Sequence, residues 1–203
     1  MVLFGTTRGE KNRGWGEFFC PQCKSDQNYV HKEVVRKGHL YFIPLVELGS
    51  VGEYIECQRC GGQFTTDVLS LPTMASFEQR YTVAVRSALA AMIRADSVEN
   101  ENEKRAGRYL IKSLTGESVS AFEQQADLND ANQEAVRVAL SDLSEHLTEK
   151  GKVQILEALI MLAASDGTIE ESEMNMITQS AEAMGVPAQY LPGIVSSVLG
   201  SAR

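Results

Sequence analysis

The chain has 203 residues, 43% of them hydrophobic and 23% charged, with a formal net charge of −8. That composition excludes a disordered or fibrous chain and bounds the fold at one or two globular domains. No apolar run approaches the ~20 residues needed to cross a bilayer. Residues 1–5 lead into charge rather than into a signal-peptide apolar segment, so the expected compartment is the cytoplasm. The charge is unevenly placed. Residues 1–72 hold 8 Lys+Arg against 8 Asp+Glu, whereas residues 73–203 hold 11 against 19, which puts the whole excess in the second part. An acidic half is a poor binder of phosphate backbones and suits basic partners or divalent cations. Solvated acidic helix faces give the same balance.

In chain order, residues 1–18 contain four glycines and scattered charge and read as an extended arm with a short strand near Phe18. Trp15 is expected to pack against a small β-unit. Cys20-Pro21-Gln22-Cys23 and Cys57-Gln58-Arg59-Cys60-Gly61-Gly62 then hold all four cysteines of the chain in two C-x-x-C pairs. Each pair can form a turn whose backbone N–H groups face the sulfurs. Two such turns facing each other make a tetrahedral four-sulfur site suited to structural Zn²⁺. Disulfides would need export, and a redox C-x-x-C would need a βαβ setting; neither is indicated. Four thiolates close the coordination shell, which leaves no position for catalysis.

Between the pairs, residues 28–36 and 39–46 read as strands around a turn at Lys37-Gly38. Residues 51–56 and 63–68 read as a third and fourth strand. Tyr41, Phe42, Ile43 and Tyr54 are the expected ribbon core. His31 and His39 are expected at surface or hairpin positions. The ribbon is too poor in apolar residues to fold alone, so metal binding should supply part of its folding free energy. The segment between the cysteine pairs, 33 residues, exceeds the usual ribbon spacing. The stretches at 38–45 and 52–57 resemble a bacterial zinc-ribbon family with a longer hairpin and a Phe-Ile-Pro run.

Leu71-Pro72 marks the boundary between a ribbon at residues 1–70 and a helical domain at residues 73–203, with Thr73 as N-cap. A first helix runs to about Arg94, with Phe77, Tyr81, Ala84, Ala88 and Met92 on one face. A second ends at Thr115-Gly116. Ser120 with Glu123 has capping-box spacing for a short third. Asp130 is the expected cap of a fourth, which carries Val136, Leu140, Leu143 and Leu147. Thr148 starts a fifth, in which Val153, Leu156, Leu159, Ile160 and Ala163 share a face. Asp166-Gly167 is a turn, and Thr168 with Glu171 is the expected capping box of a sixth helix lined by Met174, Ile177, Ala181 and Met184. Gly185 stops it, Pro187 opens a seventh, and Pro192-Gly193 should kink or interrupt that last helix. The fold class is therefore α+β with two domains: a small β zinc ribbon, then an all-α bundle of about seven helices.

Apolar helix, Asp turn and a helix with Glu seven residues after the Asp occur twice, seventy positions apart: Asp96 with Glu103, then Asp166 with Glu173. Ser97 stands where the second copy has Gly167. Ala164-Ser165-Asp166-Gly167 with Glu173 resembles the signature of the tellurite-resistance TerB-like family, over roughly residues 75–200. The resemblance implies an all-helical, pseudo-duplicated domain with a metal-ion link. Two readings of Asp96, Glu103, Asp166 and Glu173 stay open. They are ligands for Ca²⁺ or Mg²⁺, with Glu99, Glu101, Glu170 or Glu171 as candidates to complete the shell, or they cap helices and satisfy turn N–H groups. No EF-hand spacing is present. No nucleophile–base order or phosphate-cradling loop stands out, and His146 lies near a helix end, so no enzyme activity is expected. The function expected is a non-enzymatic adaptor or sensor in a bacterial stress or metal-ion response of the tellurite type. It would act through protein partners, with peripheral membrane association only through such a partner. The alternatives are a nucleic-acid-binding ribbon and a metal-dependent hydrolase.

Overall fold

The structure, a computed structural model, describes residues 4–40, 43–95 and 100–201. The chain divides into two compact units, Met1–Phe77 and Glu78–Arg203. The dividing point falls inside the first helix rather than at Pro72.

The first unit is one antiparallel sheet of order β1-β2-β3-β4. Its strands are β1 (Phe4–Cys20), β2 (Ser25–Leu40), β3 (Ile43–Cys57) and a two-residue β4 (Gln63–Phe64). The expected loose arm is thus a full strand, paired with β2 from Phe4↔Leu40 to Cys20↔Ser25. Lys37-Gly38 is not the turn: β2 runs on to Leu40, so the expected second strand is divided between β2 and β3, and its latter part is one strand with the expected third. Register shifts interrupt the ladder on both sides of β2, between Asn12 and Gly14 on β1 and at three places against β3. Bulges of this kind break strict alternation, so a continuous strand reads in sequence as shorter pieces. The fourth strand is shorter than expected because Thr66–Ser70 closes into a 3-10 turn.

The ribbon core also differs from expectation. It consists of Phe18, Cys20, Ile55, Cys57 and Val68, with Cys23, Tyr29 and Phe64 packed against it. Phe18 meets Tyr29 and Phe64 edge-on, at centroid distances of 5.5 and 5.9 Å. Successive strand residues point to opposite faces. Tyr54, next to Ile55, therefore lies on the other face, where its hydroxyl donates to Glu10 at 2.9 Å. Trp15 shares that face, paired across from Val30, and is 87% exposed rather than packed. Tyr41 and Phe42 lie outside the described residues.

The second unit contains seven helices when α1, which begins in the first, is included. They are α1 (Met74–Ile93), α2 (Glu101–Thr115), α3 (Ala121–Asn129), α4 (Gln133–Ser144), α5 (Glu149–Ala163), α6 (Glu171–Ala183) and α7 (Leu191–Ser201). α5 is the centre. Ile155, Leu156, Ala158, Leu159, Ile160, Leu162 and Ala163 are all buried, against α2, α6 and α7. A helix apolar on nearly every side is stable only when surrounded. Thr73 caps α1 by accepting the Ser76 N–H, Ser120 and Glu123 form the expected capping box of α3, and Thr148 caps α5.

Three expected termini move. α4 is capped by Asn132, whose carboxamide accepts the Glu134 and Ala135 N–H groups, while Asp130 ends α3. α6 is capped at Glu170 and not at Thr168, because Ala164–Asp166 form a 3-10 turn that delays helix entry. Met176, not Met174, fills the buried position. Gly185, at φ 70°, closes α6 in a Schellman motif, with Val186 N–H on Ala181 O and Gly185 N–H on Glu182 O. A 3-10 turn at Ala188–Tyr190 precedes α7, which is uninterrupted. Pro192 sits in its first turn, where the missing N–H has no helical partner to lose.

Candidate metal centre

Two strand reversals bring the ends of β1 and β3 to the same end of β2. Cys20 lies opposite Ser25, and Cys57 opposite Tyr29. The knuckle after each strand curls back on its first cysteine. Lys24 N–H donates to Cys20 O at 2.8 Å, and Gly61 N–H to Cys57 O at 2.9 Å. Gly61 has φ 69°, which side chains disfavour. A Cβ on Gly62 would lie 2.5 Å from Gln22 Oε1 and 3.1 Å from the Phe64 ring. The Gly61-Gly62 pair thus lets the second knuckle close on the first.

The result brings all four sulfurs within 4.8 Å of one another. Cys20 Sγ and Cys60 Sγ are 3.8 Å apart, and Cys23 Sγ and Cys57 Sγ 4.0 Å. A tetrahedral ion at the usual Zn–S distance would set its sulfurs about 3.8 Å apart, so the donor set fits such an ion with little movement. None of the cysteines is in a disulfide. Cys20 and Cys57 are buried, Cys23 is half-buried and Cys60 is exposed beside Gln22 Oε1 at 3.6 Å. Burial and the neighbouring Cys60, Cys20 and Cys57 sulfurs push the Cys23 thiol up to about 12. Burial also raises Cys57, but the Cys60 and Arg59 N–H groups pull it down to about 7. Thiols this close cannot all ionise alone, and a divalent cation removes that conflict.

The acidic residues sit differently. Asp96, Ser97 and Glu99 lie outside the described residues. Glu103 and Glu173 are each 5% exposed, and each stands three residues after an N-cap, Asn100 and Glu170 respectively. The duplication read in the sequence is thus a repeated helix start. Glu173 Oε2 accepts the Glu170 N–H at 2.8 Å. Asp166 is exposed in the turn before it. Among the described residues, the cysteines are the one group of three or more His, Cys, Asp or Glu side chains with converging ligand atoms. His31 bonds Glu53 at 2.9 Å and His146 is exposed.

Sequence reasoning missed several groups. Asp26 accepts the Met74 N–H, and Lys32 bridges Glu56 and Glu10. Gln22 stands at the rim of the cage. Strand parity would have placed Lys32 and Glu10 on one face only if the bulge at Arg13 had been foreseen.

Fold and site together define a class: a four-cysteine β-ribbon followed by an all-helical unit with a repeated capped, acidic helix start. The family model described as tellurite resistance protein TerB matches residues 82–192, more than half of the chain, and the chain belongs to that family. No curated protein and no solved structure matches it. No described helix is long and apolar enough to cross a membrane.

Proposed function

We propose that the chain is a non-enzymatic, cytoplasmic adaptor or sensor in a bacterial stress or metal-ion response of the tellurite type. Zinc holds the ribbon, and the ribbon and helical unit each present a surface to protein partners. The observation that carries this reading is the convergence of four sulfurs into a closed donor set, which leaves no coordination position for water or substrate. Membership of the family described as tellurite resistance protein TerB supports the tellurite-type part of the reading. Zinc is favoured among thiolate-bound ions because Zn²⁺ has no redox chemistry, no d-electron geometric preference, and is the usual ion of closed four-cysteine structural sites. A ribbon that reads nucleic acid is less favoured: Trp15 has Lys32 on its face, but Lys32 already bridges two carboxylates.

The test is elemental analysis of the full chain purified without added metal, beside Cys57→Ser. One zinc per chain, lost in the variant, is expected. Iron with visible thiolate-to-metal absorption, or no metal, overturns the zinc assignment. Hydrolysis of a phosphoester or peptide panel would overturn the non-enzymatic reading. Retention of labelled DNA or RNA at physiological salt would replace the adaptor with a nucleic-acid reader.

A further inference from the structure

α5 and α7 leave a groove of about 420 Å³ between them. One wall is α5, with Glu149, Val153 and Glu157; the other includes Val186, Tyr190 and Ile194. Three observations single it out. First, its lining contains two carboxylates and no Lys, Arg or His. Exposed Glu149 is held by the half-buried Lys152 at 2.9 Å, but half-buried Glu157 has no hydrogen-bond or ion-pair partner among the described residues. Second, α7 has no charged residue from Leu191 to Ser201, and Leu199 is 42% exposed on it. A surface helix ordinarily turns charge to water, so a charge-free outer face is suited to being covered. Third, Glu149, Val153, Glu157 and Met161 follow one another every four residues, a single row along α5. Met161, 50% exposed, carries the apolar character past the groove.

The row alternates carboxylate, apolar, carboxylate, apolar, at steps of about 6 Å along the helix. We propose that this groove receives an amphipathic helix of a partner protein that carries Lys or Arg eight residues apart, with an apolar residue midway. The partner's apolar residue seats against Val153 and Ile194, and its cations meet Glu149 and Glu157, the helix-in-groove mode of recognition. A second copy of this chain fits less well, because α7 brings no cation to Glu157. An anionic membrane surface is repelled by the same two carboxylates. The proposal deepens the adaptor reading and rests on it only in taking the helical unit as protein-binding.

The test uses the full chain and a labelled, Ala-based helical peptide of about fourteen residues, more than one turn longer than the contact row itself. It carries Lys eight apart and Leu midway; a control replaces Lys with Glu. Binding is followed by anisotropy and by amide NMR. The Lys peptide should bind saturably, with shifts at Val153, Glu157 and Ile194, and the Glu peptide should not. Glu157→Lys should weaken the Lys peptide at least about tenfold and admit the Glu peptide. Glu157→Gln, the milder change, should weaken it less, and both variants should keep the parent's helical circular dichroism. Equal binding of both peptides, or shifts mapping elsewhere, overturns the proposal. So does concentration-dependent dimerisation, or binding to anionic vesicles, that Ile194→Glu abolishes. Phosphoester hydrolysis or nucleic-acid retention with an intact groove response would sink the adaptor reading and leave the groove assignment standing.

Discussion

Glu173 is a carboxylate buried to 5% exposure whose oxygen faces the backbone of its own helix start. The first N–H groups of a helix have no helical carbonyl to bond, so a side-chain acceptor there is stabilising, and a negative one more so. Losing a cap of this kind costs about 0.5–2 kcal/mol. Glu173→Ala should therefore lower the melting temperature of the helical unit by roughly 2–8 °C. Calorimetry with and without millimolar Ca²⁺ or Mg²⁺ separates the two readings of the acidic turns. A cap predicts the same loss in both buffers. A cation site shared by Asp166 and Glu173 predicts that the cation stabilises the parent and not the variant. Arg13 offers a second test at this scale. It is the extra residue of the β1 bulge, and its guanidinium lies 2.7 Å from Glu33. Arg13, with help from the Ser50 hydroxyl, holds the Glu33 carboxyl below its usual range. A depressed folded-state value means that the pair's contribution is present above the unfolded value near 4.5 and is lost as pH falls through the lower folded one. Amide exchange around Val34 and Val35 should be faster in Glu33→Gln than in the parent at neutral pH. The two should converge below the folded value. Equal rates at neutral pH would remove the pair from the ladder's stability.

Among the elements, what the sequence disclosed depended on whether one residue type decided the structure. Cys20, Cys23, Cys57 and Cys60 were legible because no other common arrangement uses two C-x-x-C pairs with none left over. α5 and α6 were legible because Leu156, Leu159, Ile160 and Ile177 keep the helical period and Gly185 can end a helix where few residues can. The strands were not, because each bulge shifts the alternation by one and hides a strand of fifteen or more residues as two. Helix starts failed where two capping residues stood close together. Asp130 and Asn132 both suit the period of Val136 and Leu140, and only the path of the preceding turn chooses Asn132. Asn132→Ala should then destabilise by about 1 kcal/mol, as a lost cap does, while Asp130→Ala should change stability by less than half of that. Urea midpoints of the two variants decide it, and the reverse order would mean that α4 starts at Asp130 in solution.

At the scale of the molecule, the two units differ in what holds them. The helical unit buries many apolar side chains, among them Ala84, Leu89, Leu140, Leu159 and Ile177. The ribbon's buried cluster is Phe18, Cys20, Ile55, Cys57 and Val68, so two of its five members are metal-ligand candidates. A core that small is marginal by itself, and ion binding to the folded cage alone becomes folding free energy. Chelation should therefore act on one unit only. Calorimetry of the full chain should show a transition that EDTA shifts down or abolishes and a second that it leaves in place. Acid should do the same to the first, because every sulfur must lose a proton to bind, and thiolates reprotonate together when the ion leaves. Cys60, the exposed member of the candidate cage, is the side open to attack, so with metal bound Cys60→Ser should release it to a chromogenic chelator faster than the parent. If EDTA left both transitions unmoved, the cage would be a passenger on a sheet stable without it. The long β1–β2–β3 ladder, and not the ion, would then be what holds the first unit together.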